Sequence, residues 1–572
     1  VASDKLKIFA NTSALELITE NGRITGVKTE RGTIHADYVV VCAGLWGRLI
    51  AEMAGEDLPV MPVDHPLTFF GPYNEFAGTG VEIGMPLLRD QGNSAYMRDT
   101  GDPKSTEGGQ IEWGYYYEEN PRLVHPREIL EKDQARLSPS QRDLELEDVI
   151  EPLERAMELT PILTELGFNE SHSFNGLLQT SADGGPSMGE SQKLRGLWYA
   201  VGIWIKDGPG MGKLIADWMT HGRTHVDHHA IDFARFNEFQ LDEKYIYDRC
   251  WETAKKIYNP PVHPREPFSK ARGIRRSPFY EREVELGGYF MELGGWERAH
   301  GYAANEHLLE KYADRVPVRE NEWDTRHFWR VSNAEQLAMS DDCGIINLSH
   351  FHMTDIEGPD HVELMEWLCA AKIGKGIYTH MLDDEGMVRA DFTVFRMADR
   401  CRLVNGADAG PRDLIYMRRM AQDKGWDVTI TDVTEKFTTI GIWGPNAREN
   451  LKKVVAAPEE LDIENFPFAA IRQISIAGKT VTAFRISYVG EQGWELHMRY
   501  EDGLAVWDAL RGIGVMAVGV ETYANSRRLE KSLRLQNADL HTQYNLIEAA
   551  LARPKVKEAD FRGKAKHVEY RE

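Results

Sequence analysis

The 572-residue chain is poor in several features that would each mark a class of protein. It has five cysteines, Cys42, Cys250, Cys343, Cys369 and Cys401, scattered and without a C-x-x-C pair. That pattern excludes a disulfide scaffold and a cysteine zinc site, and it fits a reducing compartment. No metal-ligand cluster is expected. No apolar run approaches the roughly 18 residues that a membrane span needs. Positive charge is in deficit, with Lys+Arg 67 against Asp+Glu 90 and a net charge of −23. Such a surface repels phosphate backbones and anionic lipid, so neither nucleic acid nor a membrane is an expected partner. Internal repeats and low-complexity segments are also missing.

What is present begins with Ile34–Gly44, an apolar run closed by Ala43-Gly44. It reads as a buried parallel strand that delivers its backbone to a dinucleotide. Such a strand normally lies downstream of a G-x-G-x-x-G turn holding the pyrophosphate at a helix N-terminus. The thirty-three preceding residues hold no such turn. The expectation is a piece of a larger flavoprotein.

At roughly 150 residues per domain, the length allows three or four domains. Residues 1–225 alternate strand-like and helical runs, as α/β folds do. Leu6–Phe9, Arg23–Lys28 and Thr33–His35 read as short strands, and Leu197–Val201 as a further buried one before a helix over Lys213–Thr220. Residues 226–285 show little periodicity, with Pro260, Pro261, Pro264 and Pro267 marking an irregular connector. Residues 286–572 return to strands, such as Lys436–Trp443 and Val481–Tyr488, interleaved with helices.

Two groups of residues carry candidate redox chemistry. Gly202-Ile-Trp-Ile-Lys-Asp-Gly-Pro-Gly-Met-Gly212 follows a strand and opens a helix. Its glycines would let the backbone approach a ligand closely, and a helix N-terminus favours negative charge; an ordinary glycine-rich loop reads the same way. His65, in Pro62-Val-Asp-His65, could take the proton of an amine near neutral pH, and Tyr96 could face the same substrate. A structural histidine at a strand end and a tyrosine with a wet hydroxyl remain alternatives.

Cys42-Ala43-Gly44, Thr180-Ser-Ala-Asp-Gly-Gly-Pro186 and Gly202–Gly212, in this order, resemble the carboxyl-terminal two-thirds of the FAD domain of the dimethylglycine and sarcosine dehydrogenase family. Arg275-Arg-Ser-Pro278, Gly287-Gly288 and Gly294-Gly-Trp-Glu-Arg298 resemble that family's passage between domains. The third region resembles the folate-binding fold of the glycine-cleavage T protein. Its motifs are Asn347-Leu-Ser-His350, Glu357-Gly-Pro-Asp360, Tyr378-Thr-His-Met-Leu382, Gly386-Met-Val-Arg-Ala-Asp391, Gly444-Pro445, Tyr488-Val-Gly-Glu-Gln-Gly-Trp-Glu495 and Ser526-Arg-Arg-Leu-Glu530.

The resemblance implies a chain that is α/β and α+β. It would hold a partial glycine-oxidase-type FAD domain, a central connector and a T-protein-like tetrahydrofolate-binding domain. FAD would lie against Ala43, Gly44, Trp46, Gly202, Trp204, Lys206, Gly208, Gly210 and Met211. His65 and Tyr96 match the family's active-site histidine and tyrosine, and Asp391 its catalytic aspartate. A pterin presents a row of donors that one carboxylate can accept, by resemblance Glu491. The carboxylates of folate's glutamate suit a guanidinium, by resemblance Arg528, and Tyr488 would stack on or bond the ligand, or else pack in the core. The implied reaction is oxidative N-demethylation of an N-methylated amino acid, with the one-carbon unit passed to tetrahydrofolate as 5,10-methylenetetrahydrofolate. A folate-dependent transferase without flavin chemistry, or a subunit whose FAD site a partner completes, are the rival readings. Oxygen or an electron-transfer flavoprotein would take the electrons. The compartment would be cytoplasmic, or the mitochondrial matrix in a eukaryote. Both ends look short against the family pattern, which continues into a small β-barrel.

Overall fold

The computed structural model describes residues 5–76, 84–100, 109–117, 120–133, 138–257, 266–318, 320–321 and 329–572. Pro260, Pro261 and Pro264 lie outside them. The chain divides into two units, one made of Val1–Gly222, Ala230–Pro264 and Ser269–Ala271, the other of Arg223–His229, Arg265–Phe268 and Arg272–Glu572.

The first unit is built on a six-stranded antiparallel sheet in the spatial order 88–90, 95–99, 109–115, 60–73, 174–181, 141–142. Its central strand, Val60–Tyr73, is buried over its first seven residues, as a strand covered on both faces must be. Helix Glu243–Lys256 packs on this sheet, with Ile246 and Cys250 at no exposure and the Cys250 thiol 3.7 Å from the Pro59 carbonyl. The sequence reading found no helix there, although the signals exist. Asp242 caps the first turn by accepting from the amides of Lys244 and Tyr245, and Lys255 and Lys256 close the last turn, which suits both ends of the helix dipole.

Val39–Val41 pairs parallel with the fully buried strand Leu197–Val201. It is the edge strand of its three-stranded sheet, so Tyr38 and Val40 are exposed where burial was expected. Leu6–Phe9 is not a strand; it finds no pairing partner and its apolar side chains face solvent. The helix expected from Lys213 starts at Gly208 and runs to His221. Pro209 explains the early start, because its fixed φ and missing N–H suit the first helical turn.

The second unit holds a five-stranded sheet in the order 376–382, 388–396, 400–405, 352–357, 429–432. Beside it is a six-stranded sheet in the order 471–476, 479–484, 493–499, 437–443, 344–347, 516–517. Apolar residues of the six-stranded sheet, including Ile345, Ile440, Ile442, Trp494 and Leu496, pack with helix Tyr500–Gly512 into the largest core of this unit.

Candidate functional site

In the first unit, sheet order brings three rings together. Tyr96 pairs in register with Gly114, and a Cβ at Gly114 would come 2.3 Å from the Tyr96 ring. Only glycine therefore lets that ring lie across the neighbouring strand. The Tyr96 ring stacks on His65 at 5.8 Å between centroids, and Tyr116 closes the group at 4.6 Å from His65 and 5.8 Å from Tyr96. His65 is buried, and its Nε2 has no hydrogen-bond partner. Burial drives its pKa down to about 4, so the imidazole is neutral near pH 7. Burial pushes the Tyr96 phenol up, which keeps it a proton donor.

The elements marked for the flavin meet at one side chain that the motif reading passed over. Gln179 Nε2 donates to the Gly44 carbonyl at 3.0 Å, and its Oε1 accepts from the Gly202 amide at 2.9 Å. Trp204 Nε1 adds a bond of 2.8 Å to the Gln179 carbonyl. Gly202 adopts φ 81°, a left-handed conformation that favours glycine. Gln179, Gly202, Trp204, Lys206 and Met211 line a common cavity of about 200 Å³. Lys206 pairs with Asp207 at 3.0 Å. Gly208 and Gly210 fall on the first helical turn, where a Cβ would meet no atom within 4 Å. Ala43 accepts from the Trp46 amide. Trp46 packs against Val124, Ile129 and Leu177 instead of lining the cavity, and its Nε1 is buried without a partner. Trp204 and Thr180 also line a narrow space shared with Tyr116, so the two groups adjoin.

In the second unit, the half-buried Asp391 lies opposite His380 on paired strands and accepts from the Tyr378 hydroxyl at 2.8 Å. Burial, aided by the charges of Asp413 and Asp408, raises its pKa to about 6 despite that bond. Tyr488 donates to the Arg534 carbonyl at 2.5 Å and its ring sits 4.9 Å from Tyr523. Burial raises both phenols, and the Asp391 charge raises them further. Arg528 reaches this neighbourhood electrostatically, acting on Tyr488. Its guanidinium, however, is committed to the carbonyls of Ala524 and Leu533 and to Asp539. Glu491 is held by Arg527 at 2.6 Å, with Lys531 at 3.8 Å. The structure thus gathers Asp391, Tyr378, Tyr488 and Tyr523, while Glu491 and Arg528 serve ion pairs of their own. Glu495, quoted in the Tyr488–Glu495 motif but given no role, is buried and 3.2 Å from His497. Among the described residues, no group of three or more His, Cys, Asp or Glu could hold a metal ion, and no helix is long and apolar enough to cross a membrane.

Each unit thus holds its own group of polar and aromatic side chains, around His65 and Gln179 in the first and around Asp391 in the second. Residues 2–218 match the FAD dependent oxidoreductase family, 221–277 its central domain and 279–555 the GCVT N-terminal domain. The chain is 29% identical over 562 residues to dimethylglycine dehydrogenase of Rattus norvegicus, covering 94% of this chain and 61% of that protein. It is 28% identical over 572 residues to sarcosine dehydrogenase of Mus musculus, covering 93% and 59%. It is 28% identical over 548 residues to 4-methylaminobutanoate oxidase (formaldehyde-forming) of Paenarthrobacter nicotinovorans, covering 93% and 62%. The chain is homologous to the dimethylglycine and sarcosine dehydrogenases. It spans about 60% of the length of these relatives.

Proposed function

We propose that the chain belongs to a bifunctional oxidative N-demethylase of N-methylated amino acids that hands the released carbon to tetrahydrofolate. The observation that carries the redox half is Gln179, which ties Gly44 to Gly202 beside a cavity lined by Trp204. Residues so placed fit FAD: a flat ring suits the Trp204 wall, and the bare first turn from Gly208 presents amides to negative charge. FAD, when bound there, supplies the two-electron acceptor.

The chain's own residues then divide the work. Neutral His65, with its Nε2 free of other partners, accepts a hydrogen bond from the substrate's amine without charging, and its uncharged pocket favours the neutral amine whose lone pair oxidation needs. The protonated Tyr96, stacked on that imidazole, donates its hydrogen bond to the substrate's carboxylate and so leaves the amine lone pair free. Asp391, poised near 6 and held by Tyr378, takes the proton released when a folate nitrogen captures the one-carbon unit. Domains at 1–225, 226–285 and 286–572 are the division we assign to these tasks. An electron-transfer flavoprotein is the proposed acceptor downstream, in the compartment of the relatives named mitochondrial.

The test is anaerobic mixing of the FAD-loaded protein with sarcosine or dimethylglycine. Flavin bleaching is expected, slowed about 10²–10⁴-fold in His65→Gln. Bound FAD that stays oxidised with both amines and with 4-methylaminobutanoate would reject the reading.

A further inference from the structure

The second unit holds a cavity of about 730 Å³ that includes neither Asp391 nor any side chain gathered around it. Its size falls in the range of about 300–1,000 Å³ that small-molecule sites occupy. The floor is made by Met353, Phe395, Phe437 and Ile471, which belong to one apolar cluster shared by the five-stranded and six-stranded sheets. Gln473, Thr480 and Thr482 add neutral polar groups to the lining.

The charge at this cavity is opposite to that of the chain. Six lysines and arginines line it against one acid, Asp502, although the net charge is −23. Three of these cations are neutralised, Arg402 by Asp355, Lys479 by Asp502 and Arg499 by Glu501. Among the described residues, the other three, Lys375, Arg396 and Arg472, have no acidic partner. They also stand close together. The Arg396 amide donates to the Lys375 carbonyl at 3.2 Å, beside the ladder that pairs Phe395 with Gly376. Two cations thus sit opposite each other on neighbouring segments, an arrangement that repels unless an anion joins it. A Cβ at Gly376 would come 1.8 Å from Ile471 Cδ1, so Ile471 closes on Gly376 and the adjoining residues, Arg472 and Lys375, flank that contact.

We propose that this cavity binds a nucleoside phosphate, with the base on the apolar floor, the sugar beside the threonines, and the phosphates on Lys375, Arg396 and Arg472. A base suits an aromatic floor because every base offers a flat π-face. Phosphate suits the rim because each guanidinium can give it two parallel hydrogen bonds, and several cations can share its charge. A fatty carboxylate would engage one cation and leave the others opposed. A polynucleotide would run beyond the rim into the negative charge of the rest of the chain. The site is separate from both the amine group of the first unit and the Asp391 group, so it stands whether or not the reaction proposed above is the right one. Since both sheets line it, a bound nucleotide would bridge them and stabilise the folded unit.

The test is calorimetric titration of the FAD-loaded protein with ADP and GDP, with adenosine and inorganic phosphate as separate arms, followed by thermal melting with each. Wild type is compared with Arg396→Gln/Arg472→Gln and with the charge-preserving Arg396→Lys/Arg472→Lys; both arginines are exposed, so their replacement spares the core. A nucleoside diphosphate is expected to bind at least tenfold more tightly than adenosine or phosphate and to raise the melting temperature. The Gln pair should weaken it at least tenfold, the Lys pair should keep most of the affinity, and 5-formyltetrahydrofolate should not displace it. Binding of neither diphosphate to wild type, or unchanged binding in the Gln pair, would overturn the site. Phosphate alone binding as tightly as the diphosphates would reduce it to an adventitious ion only, and displacement by 5-formyltetrahydrofolate would overturn its separateness.

Discussion

Asp391 offers the sharpest prediction, because its proposed chemistry and its energetic cost share one cause. Its carboxyl titrates near 6 in the folded chain and near 3.8 when unfolded. Below 3.8 both states are protonated and the group is silent. As the pH rises through the interval, the unfolded chain releases the proton while the folded one retains it, so stability falls by about 3 kcal/mol and stays lower above pH 6. Asp391→Asn keeps the shape and an acceptor for Tyr378 while removing the buried charge. Placing the new amide costs about 1 kcal/mol, so the variant should be about 2 kcal/mol more stable than wild type at pH 8. By pH 4.5 roughly 2 kcal/mol of the wild-type loss is restored, and the two proteins should unfold at nearly the same urea concentration. The assay is urea unfolding at both pH values, followed by fluorescence of the buried Trp443, Trp494 and Trp507. A stability difference that does not change with pH, or a variant less stable at pH 8, would refute the reasoning.

Other outcomes follow from the same contacts. Gly114→Ala places a methyl group 2.3 Å from the Tyr96 ring; expect about 1–3 kcal/mol of destabilisation and a fall in amine oxidation larger than that loss explains, read by thermal melting beside steady-state rates. Gln179→Leu removes the two side-chain bonds that join Gly44 to Gly202; FAD affinity, measured by fluorescence titration, should drop about tenfold or more while the melting temperature of the apoprotein moves only a few degrees. Arg528→Leu strips the partner from Asp539 and two carbonyls; about 3 kcal/mol of stability should be lost in urea unfolding, a structural signature without a selective effect on glutamate-bearing folates. The His65 resonance in an NMR titration should hold its neutral shift down to about pH 5 and move near pH 4, since burial disfavours the imidazolium.

The sequence was most legible where chemistry and local pattern coincide. The buried strand Leu197–Val201 follows from an apolar run ending in glycine, and the strand Phe437–Trp443 from its β-branched and aromatic content. Helix Glu243–Lys256 carries its own signals in the Asp242 cap and terminal lysines, which were passed over beside the proline run that follows from Pro260. What could not be read depends on partners distant in sequence. Gln179 looks like any strand glutamine until Gly44 and Gly202 are set on either side of it. Arg528 and Glu491 carry the right charge for a ligand, yet Asp539 and Arg527 claim them in the fold. Tyr116 stands in a run of three tyrosines, and only sheet order shows which of them reaches His65.

The account turns on the coupling of the two units, and the fate of the methyl carbon tests it most directly. Sarcosine labelled on its methyl group would be oxidised by the FAD-loaded protein with and without tetrahydrofolate, and the label divided between free formaldehyde and 5,10-methylenetetrahydrofolate. Coupling predicts that most of the label passes to folate when folate is present, and that Asp391→Asn returns it to formaldehyde without slowing oxidation. Equal release of formaldehyde with and without tetrahydrofolate would contradict the account.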